Sequence, residues 1–239
     1  MRAWQLIRET VFRRSYILIT HIVVIALWGL LFLVPVGSSF FWGKEIVAIG
    51  GFVLPLVLSA GVFGDDVASG RIGVLIATPT HAWQLYSYRL LGLSLQGLGS
   101  IIAGCALVGF LHALTQRGSI GNLVAYGVAA WLLFVAVATV STTCSIVLKR
   151  GQNSLALGLC AGGLIVLRST LSGSDGLAPR SILAAIRYCL PPAEVLALSV
   201  NSTVSARIGA VGLVTVQVAV YGLVGVFLLR SREFPRSAD

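Results

Sequence analysis

Gly118 to Leu148 reads GSIGNLVAYGVAAWLLFVAVATVSTTCSIVL, and no Asp, Glu, Lys or Arg interrupts it. A membrane-crossing helix needs roughly 17–25 predominantly apolar residues, and this stretch exceeds that. Five more charge-free windows share its character: Tyr16 to Gly43, Ile46 to Gly64, Leu90 to Gln116, Gly151 to Leu167 and Ile208 to Leu229. In lipid, a chain must satisfy its backbone polar groups internally, which helices do. The six windows therefore predict an all-α, polytopic membrane protein with six transmembrane helices, a single transmembrane domain spanning 1–239.

Composition supports this reading. The chain is 57% hydrophobic and 10% charged, against about 25% charged residues in ordinary soluble domains. So few charges cannot cover a water-facing surface, so the apolar surface is expected to face lipid. The net charge of +9 arises from 17 Lys and Arg against 8 Asp and Glu. These basic residues sit in short clusters between apolar runs, with no basic face interleaved with aromatics, so membrane lipid is the expected polyanionic partner and nucleic acid is not.

A seventh charge-free window, Ile72 to Tyr88, contains Thr78, Pro79, Thr80, His81, Gln84 and Ser87. That polar centre suits an aqueous loop better than a span. Before the first window, Trp4, Ile7 and Val11 fall on one helical face and Arg2, Gln5, Glu9 and Arg13 on another, which predicts an interfacial helix over residues 1–15. Met1 to Arg14 lacks the pattern of a cleavable signal, so the N-terminus is expected to be retained.

Positive residues set the orientation. With a cytoplasmic N-terminus, Arg2, Arg8, Arg13, Arg14, Arg71, Arg89, Lys149, Arg150, Arg230, Arg232 and Arg236 lie inside. The smaller set, Lys44, Arg117, Arg168, Arg180, Arg187 and Arg207, lies outside. Both termini are then cytoplasmic. The loop at 65–89 is cytoplasmic, and the segment at 168–207, with Pro191-Pro192 and two short apolar runs, is external and suited to short re-entrant or interfacial helices before the last span.

No catalytic motif emerges. GxxxxGK[ST] is absent, so any ATP dependence requires another polypeptide. Gly61 to Asp65 misplaces a glycine for a GxGD protease signature, and Gly92-Leu93-Ser94-Leu95 lacks the glycine of a nucleophile elbow. His21, His81 and His112 have no metal-ligand spacing, and Cys105, Cys144, Cys160 and Cys189 form no CxxC pair. Gly92, Gly97, Gly99, Gly158, Gly162 and Gly163 are expected to let helix backbones approach closely.

The informative stretch is Phe63-Gly64-Asp65-Asp66-Val67-Ala68-Ser69-Gly70-Arg71-Ile72-Gly73-Val74-Leu75-Ile76-Ala77-Thr78-Pro79. It fits an interfacial helix with carboxylates near its N-terminal dipole. It fits equally an apolar docking surface for a partner protein.

These residues resemble the permease subunits of type-2 ABC exporters, which carry an acidic residue, Gly, an apolar run and Pro after their second helix. Here those are Asp65 or Asp66, Gly70, Ile72 to Ala77 and Pro79, with Arg89 on the return into the third helix. The amphipathic N-terminus, the Leu148-Lys149-Arg150-Gly151 turn, the long external segment and the Leu229-Arg230-Ser231-Arg232-Glu233-Phe234 end extend the similarity over most of the chain in layout. Phe63-x-Asp65-Asp66 and the Leu-Lys-Arg-Gly turn also resemble a membrane component of the haem exporter in cytochrome c maturation, from which the C-terminal end departs.

The resemblance implies a permease in the bacterial cytoplasmic membrane that pairs with a second permease subunit and with separate ABC ATPase subunits, which bind the ATP and Mg. It implies an ATPase-coupling interface of Asp65, Asp66, Gly70, Arg71, Ile72, Leu75, Ile76, Pro79, Lys149 and Arg150, with no cofactor in this chain. A secondary transporter or channel is the competing class, although the absence of Asp, Glu, Lys and Arg from the six windows counts against it. A non-transporting assembly scaffold shares the same composition.

Overall fold

The computed structural model describes residues 3–15, 18–33, 39–71, 75, 81–115, 120–148, 152–153, 155–160 and 204–231. Among the described residues the secondary structure is helical throughout: α1 Ala3–Ser15, α2 Leu18–Leu33, α3 Ser39–Leu58, α4 Gly64–Ala68, α5 Ala82–Thr115, α6 Ile120–Val147 and α7 Val204–Ser231, with short helical pieces at 152–153 and 155–160. Ala82–Leu114, Leu123–Val147 and Ile208–Ser231 are each long and apolar enough to cross a membrane. Ile49–Leu58 is apolar but shorter. Most of the expected fifth span and of the external segment lies outside the described residues.

Three helices overrun the charge-free windows: Lys44 falls within α3, Arg207 falls within α7, and α5 begins at Ala82, ahead of the Leu90 that opens its window. That start is locally encoded. The Gln84 side chain accepts a hydrogen bond from the His81 backbone N–H at 3.1 Å, while the His81 carbonyl accepts from Gln84 N–H and Leu85 N–H. This is the reciprocal half of a capping box, which satisfies a donor that a helix end otherwise leaves unpaired. The polar residues that argued against a span at 72–88 thus belong in part to a helix N-terminus. The 34 residues of α5 extend about 51 Å at 1.5 Å per residue, well beyond a hydrocarbon core of about 30 Å.

Helix α6 is the central element, packed against α3, α5 and α7. Its Ala130, Leu133, Phe134 and Ala138 are buried with Leu54 and Leu58 of α3 and Leu93 and Ile101 of α5. Two glycines set these approaches. A Cβ on Gly51 would stand 2.5 Å from the Ala130 carbonyl oxygen, and one on Gly97 would enter the Phe134 ring. Gly99 and Gly158 face open space, so small size there serves no contact among the described residues.

Helix directions follow from paired contacts. Gly51 meets Ala130 and Ser59 meets Ser141, so α3 runs parallel to α6. Cys105 approaches Gly127 while Tyr86 reaches Thr139 and Thr143, so α5 is antiparallel to it. Val214 packs with Ala129 and Ala136, and Thr143 bonds the Tyr221 carbonyl, so α7 is parallel. One end of the bundle therefore collects the C-terminal ends of α3, α6 and α7 with the first turns of α5, and α1 and α4 join them there.

Candidate functional site

The largest fully buried side chain among the described residues is an arginine, Arg89, only 2% exposed. An unpaired charge in such surroundings would be very costly, and the fold supplies partners from two other elements. Arg89 Nη2 donates to Asp66 Oδ2 of α4 at 2.9 Å, and Asp66 is itself 0% exposed. Arg89 Nη1 donates to Thr10 Oγ1 of α1 at 3.1 Å. The Thr10 hydroxyl donates its own proton to the Leu6 carbonyl at 2.8 Å, leaving its oxygen lone pairs to Arg89.

A second carboxylate stands close by. Glu9 Oε1 lies 3.8 Å from Arg89 Nη2, outside hydrogen-bonding range, and 2.7 Å from Arg71 Nη1. The Glu9–Arg71 pair is partly solvated, with side chains 22% and 41% exposed respectively. Two cations and two carboxylates thus balance in a joint between α1, the α4 segment and α5. One ion pair is sealed inside and the other opens to solvent.

Local sequence builds this joint. One turn beyond Arg89, Gly92 lets α1 press onto α5: a Cβ there would lie 2.9 Å from Thr10 Cβ and 3.1 Å from the Ile7 carbonyl oxygen. Leu6 and Thr10 are consequently buried, whereas Trp4 is 67% exposed. Asp65 and Asp66 occupy the first turn of α4, as expected from the helix dipole. Gly70, at φ +68°, takes a left-handed conformation that side-chain-bearing residues rarely adopt, and this bend leads the chain out of α4 to Arg71.

Beneath the joint runs a buried polar seam. The Ser59 and Ser141 hydroxyls meet at 2.6 Å, and Asn153 Nδ2 donates to the Ser141 carbonyl at 3.2 Å and to Ser141 Oγ at 3.1 Å. Phe63 stacks on Tyr86 with ring centroids 6.0 Å apart, and the Tyr86 hydroxyl contacts Thr143 Oγ1 at 2.8 Å. Two hydroxyls of α6 back-bond within their own helix, Thr139 to Val135 and Thr143 to Thr139, which makes them tolerable in an apolar bundle.

Of the coupling residues expected from sequence, the structure brings Asp66 and Arg71 into one network and sets Asp65 and Gly70 beside them. Arg71 pairs with this chain's own Glu9. Leu75 is 4% exposed and packs into this chain's core, as burial of its apolar side chain favours. Ile72, Ile76, Pro79, Lys149 and Arg150 lie outside the described residues.

Sequence reasoning missed Arg89 as the hub and Glu9, Thr10 and Asn153 as participants. The available signal was a lone Arg between two apolar stretches, three residues before a glycine. Among the described residues no group of three or more His, Cys, Asp or Glu side chains is placed to hold a metal, and Cys105, Cys144 and Cys160 are free thiols. Compared with known proteins, the chain matches no protein-family model and no curated protein sequence.

Proposed function

We propose that the chain is the transmembrane permease subunit of an ATP-driven, type-2 ABC exporter, forming the translocation path with a second permease subunit while separate ATPase subunits bind and hydrolyse ATP. It sits in a bacterial cytoplasmic membrane with six crossings and both termini in the cytoplasm. The observation that carries this reading is the joint at Arg89, where the segment from α4 to Arg71 is tied to α1 and α5 by charge-assisted bonds. A partner pressing on that segment would move two other elements with it, which is what a coupling surface requires.

Two further points support it. α6 ends and α7 begins at opposite ends of the bundle, and the apolar window Gly151 to Leu167 has the length to supply the return crossing. The joint also lies at the end that gathers Arg8, Arg71, Arg89 and Arg230, the end the charge rule assigns to the cytoplasm.

The buried ion pair gives a secondary transporter one observation in its favour, since ionisable groups in spans mark ion pathways. Arg89 lies seven residues into α5, about 10 Å from its start. The midpoint of a helix of about 51 Å lies about 25 Å from its start, so Arg89 stands near one end of α5, away from the midplane where ion-coupled transporters bind. Affinity purification from native membranes in mild detergent separates the two readings. Co-purification of an ABC ATPase and a second membrane subunit is expected; a chain recovered alone, driving substrate movement that collapses with the ion gradient, would favour the secondary transporter.

A further inference from the structure

Arg89 Nη2 faces two carboxylates from different elements, Asp66 at 2.9 Å and Glu9 at 3.8 Å, and Glu9 in turn holds Arg71 at 2.7 Å. We infer that Glu9 is an exchanging carboxylate: when the Asp66–Arg89 pair weakens, Glu9 closes on Arg89 and releases Arg71 to solvent. The inference concerns this chain's own conformations and stands independently of the proposed exporter role.

The geometry makes the exchange short. Glu9 Oε1 needs to move only about 1 Å to bring 3.8 Å into the range of a charge-assisted hydrogen bond. Its backbone need not follow, because α1 is fixed beside it by Leu6, Thr10 and the close approach at Gly92. The energetics give the exchange a direction. A buried guanidinium that loses its carboxylate is strongly destabilised, whereas an exposed pair such as Glu9–Arg71 contributes little. Glu9 therefore moves inward whenever the inner pair is lost, and Arg71 is the group left over.

The consequence is a surface signal for a buried event. Arg71 follows Gly70 at the exit from α4, and its side chain is 41% exposed even while paired. Freed of Glu9, it presents a full cation beside the α4 segment, suited to a carboxylate or phosphate oxygen on whatever lies against this end of the bundle. The arrangement also works in reverse: an anion that captures Arg71 from outside releases Glu9 to compete with Asp66 for Arg89.

The test is the rate at which phenylglyoxal modifies Arg71 in the intact purified chain, read by peptide mass spectrometry. Glu9→Gln sets the rate for an unpaired Arg71, up to about fivefold above the native protein, the protection an exposed pair typically gives. Asp66→Asn should raise Arg71 modification to the Glu9→Gln level, and Asp66→Asn/Glu9→Gln should raise it no further. Asp66→Leu/Arg89→Met, which removes the inner cation and guards against simple unfolding of the single variant, should return it to the native rate. Arg71 modification that stays at the native rate in Asp66→Asn would overturn the inference. So would a rise of equal size in Asp66→Leu/Arg89→Met, because it would mean that Arg71 responds to general loosening.

Discussion

Arg89 is where a single residue decides most. Its guanidinium is buried with a carboxylate from α4 and a hydroxyl from α1, so removing it takes from the buried Asp66 its guanidinium partner. Breaking such a buried pair from one side typically costs about 3–5 kcal/mol, while replacing both members with packed apolar groups is often neutral. Arg89→Met is therefore expected to lower stability by that order, and Asp66→Leu/Arg89→Met to recover most of it, as measured by denaturation in detergent micelles. A single variant as stable as the native chain would remove Arg89 from its place as the hub. Leu75 behaves differently: it is a core residue, and Leu75→Ala should cost about 2–5 kcal/mol through cavity formation. Arg71→Ala, at a partly solvated pair, should change stability by no more than about 1 kcal/mol. A loss of partner binding in Arg71→Ala thus reports on the interface, whereas the same loss in Leu75→Ala does not.

Among the elements, α1 depends for its placement on a small residue far along the chain. Gly92 admits the Ile7 backbone and the Thr10 side chain, and a larger side chain would push them away. Gly92→Val is expected to lift α1 from α5. A single cysteine at position 6, in a background without the native cysteines, should change from protected to rapidly labelled by a small maleimide, since Leu6 is fully buried in the native packing. Continued protection in Gly92→Val would mean that α1 is held by something other than this approach. Periodicity made α1 legible as a helix from sequence, but its docking face depended on Gly92 and Arg89, which lie far along the chain. The same limitation explains the helix boundaries. Charge-free windows located the central parts of α6 and α7, yet Lys44, Arg89 and Arg207 were taken as ends when each lies within a helix. A charge does not by itself mark where a helix begins or ends, and for Arg89 the partners come from α1 and α4. The α5 start carried only half of a capping signal in the sequence: Gln84 stands where a capping-box acceptor would, but His81 is not one of the Ser, Thr, Asp or Asn residues that mark an N-cap.

For the whole molecule, the apolar windows predicted an all-helical chain with six crossings; the described residues are helical and three of their helices are of membrane-crossing length, and the polar end of the bundle coincides with the richer set of basic residues. Arg71 and Asp66 could be singled out from sequence as members of one segment; the joint they form could not, because its other half comes from residues 9, 10 and 89. Topology gives one check at this scale. Single cysteines at positions 117 and 236, in a background lacking native cysteines, should be labelled from outside intact cells only at 117; the reverse pattern would invert the assignment and place the Arg89 joint on the outer face, where no ATPase can reach it. The most direct test of the proposed exporter role is ATP hydrolysis by the chain purified alone and by the complex captured with it from native membranes. The expected result is no hydrolysis by the isolated chain and turnover in the complex, abolished by replacing the phosphate-binding Lys of the partner ATPase. Hydrolysis by the isolated chain above a mock purification, or a native complex with no nucleotide-hydrolysing subunit, would contradict it.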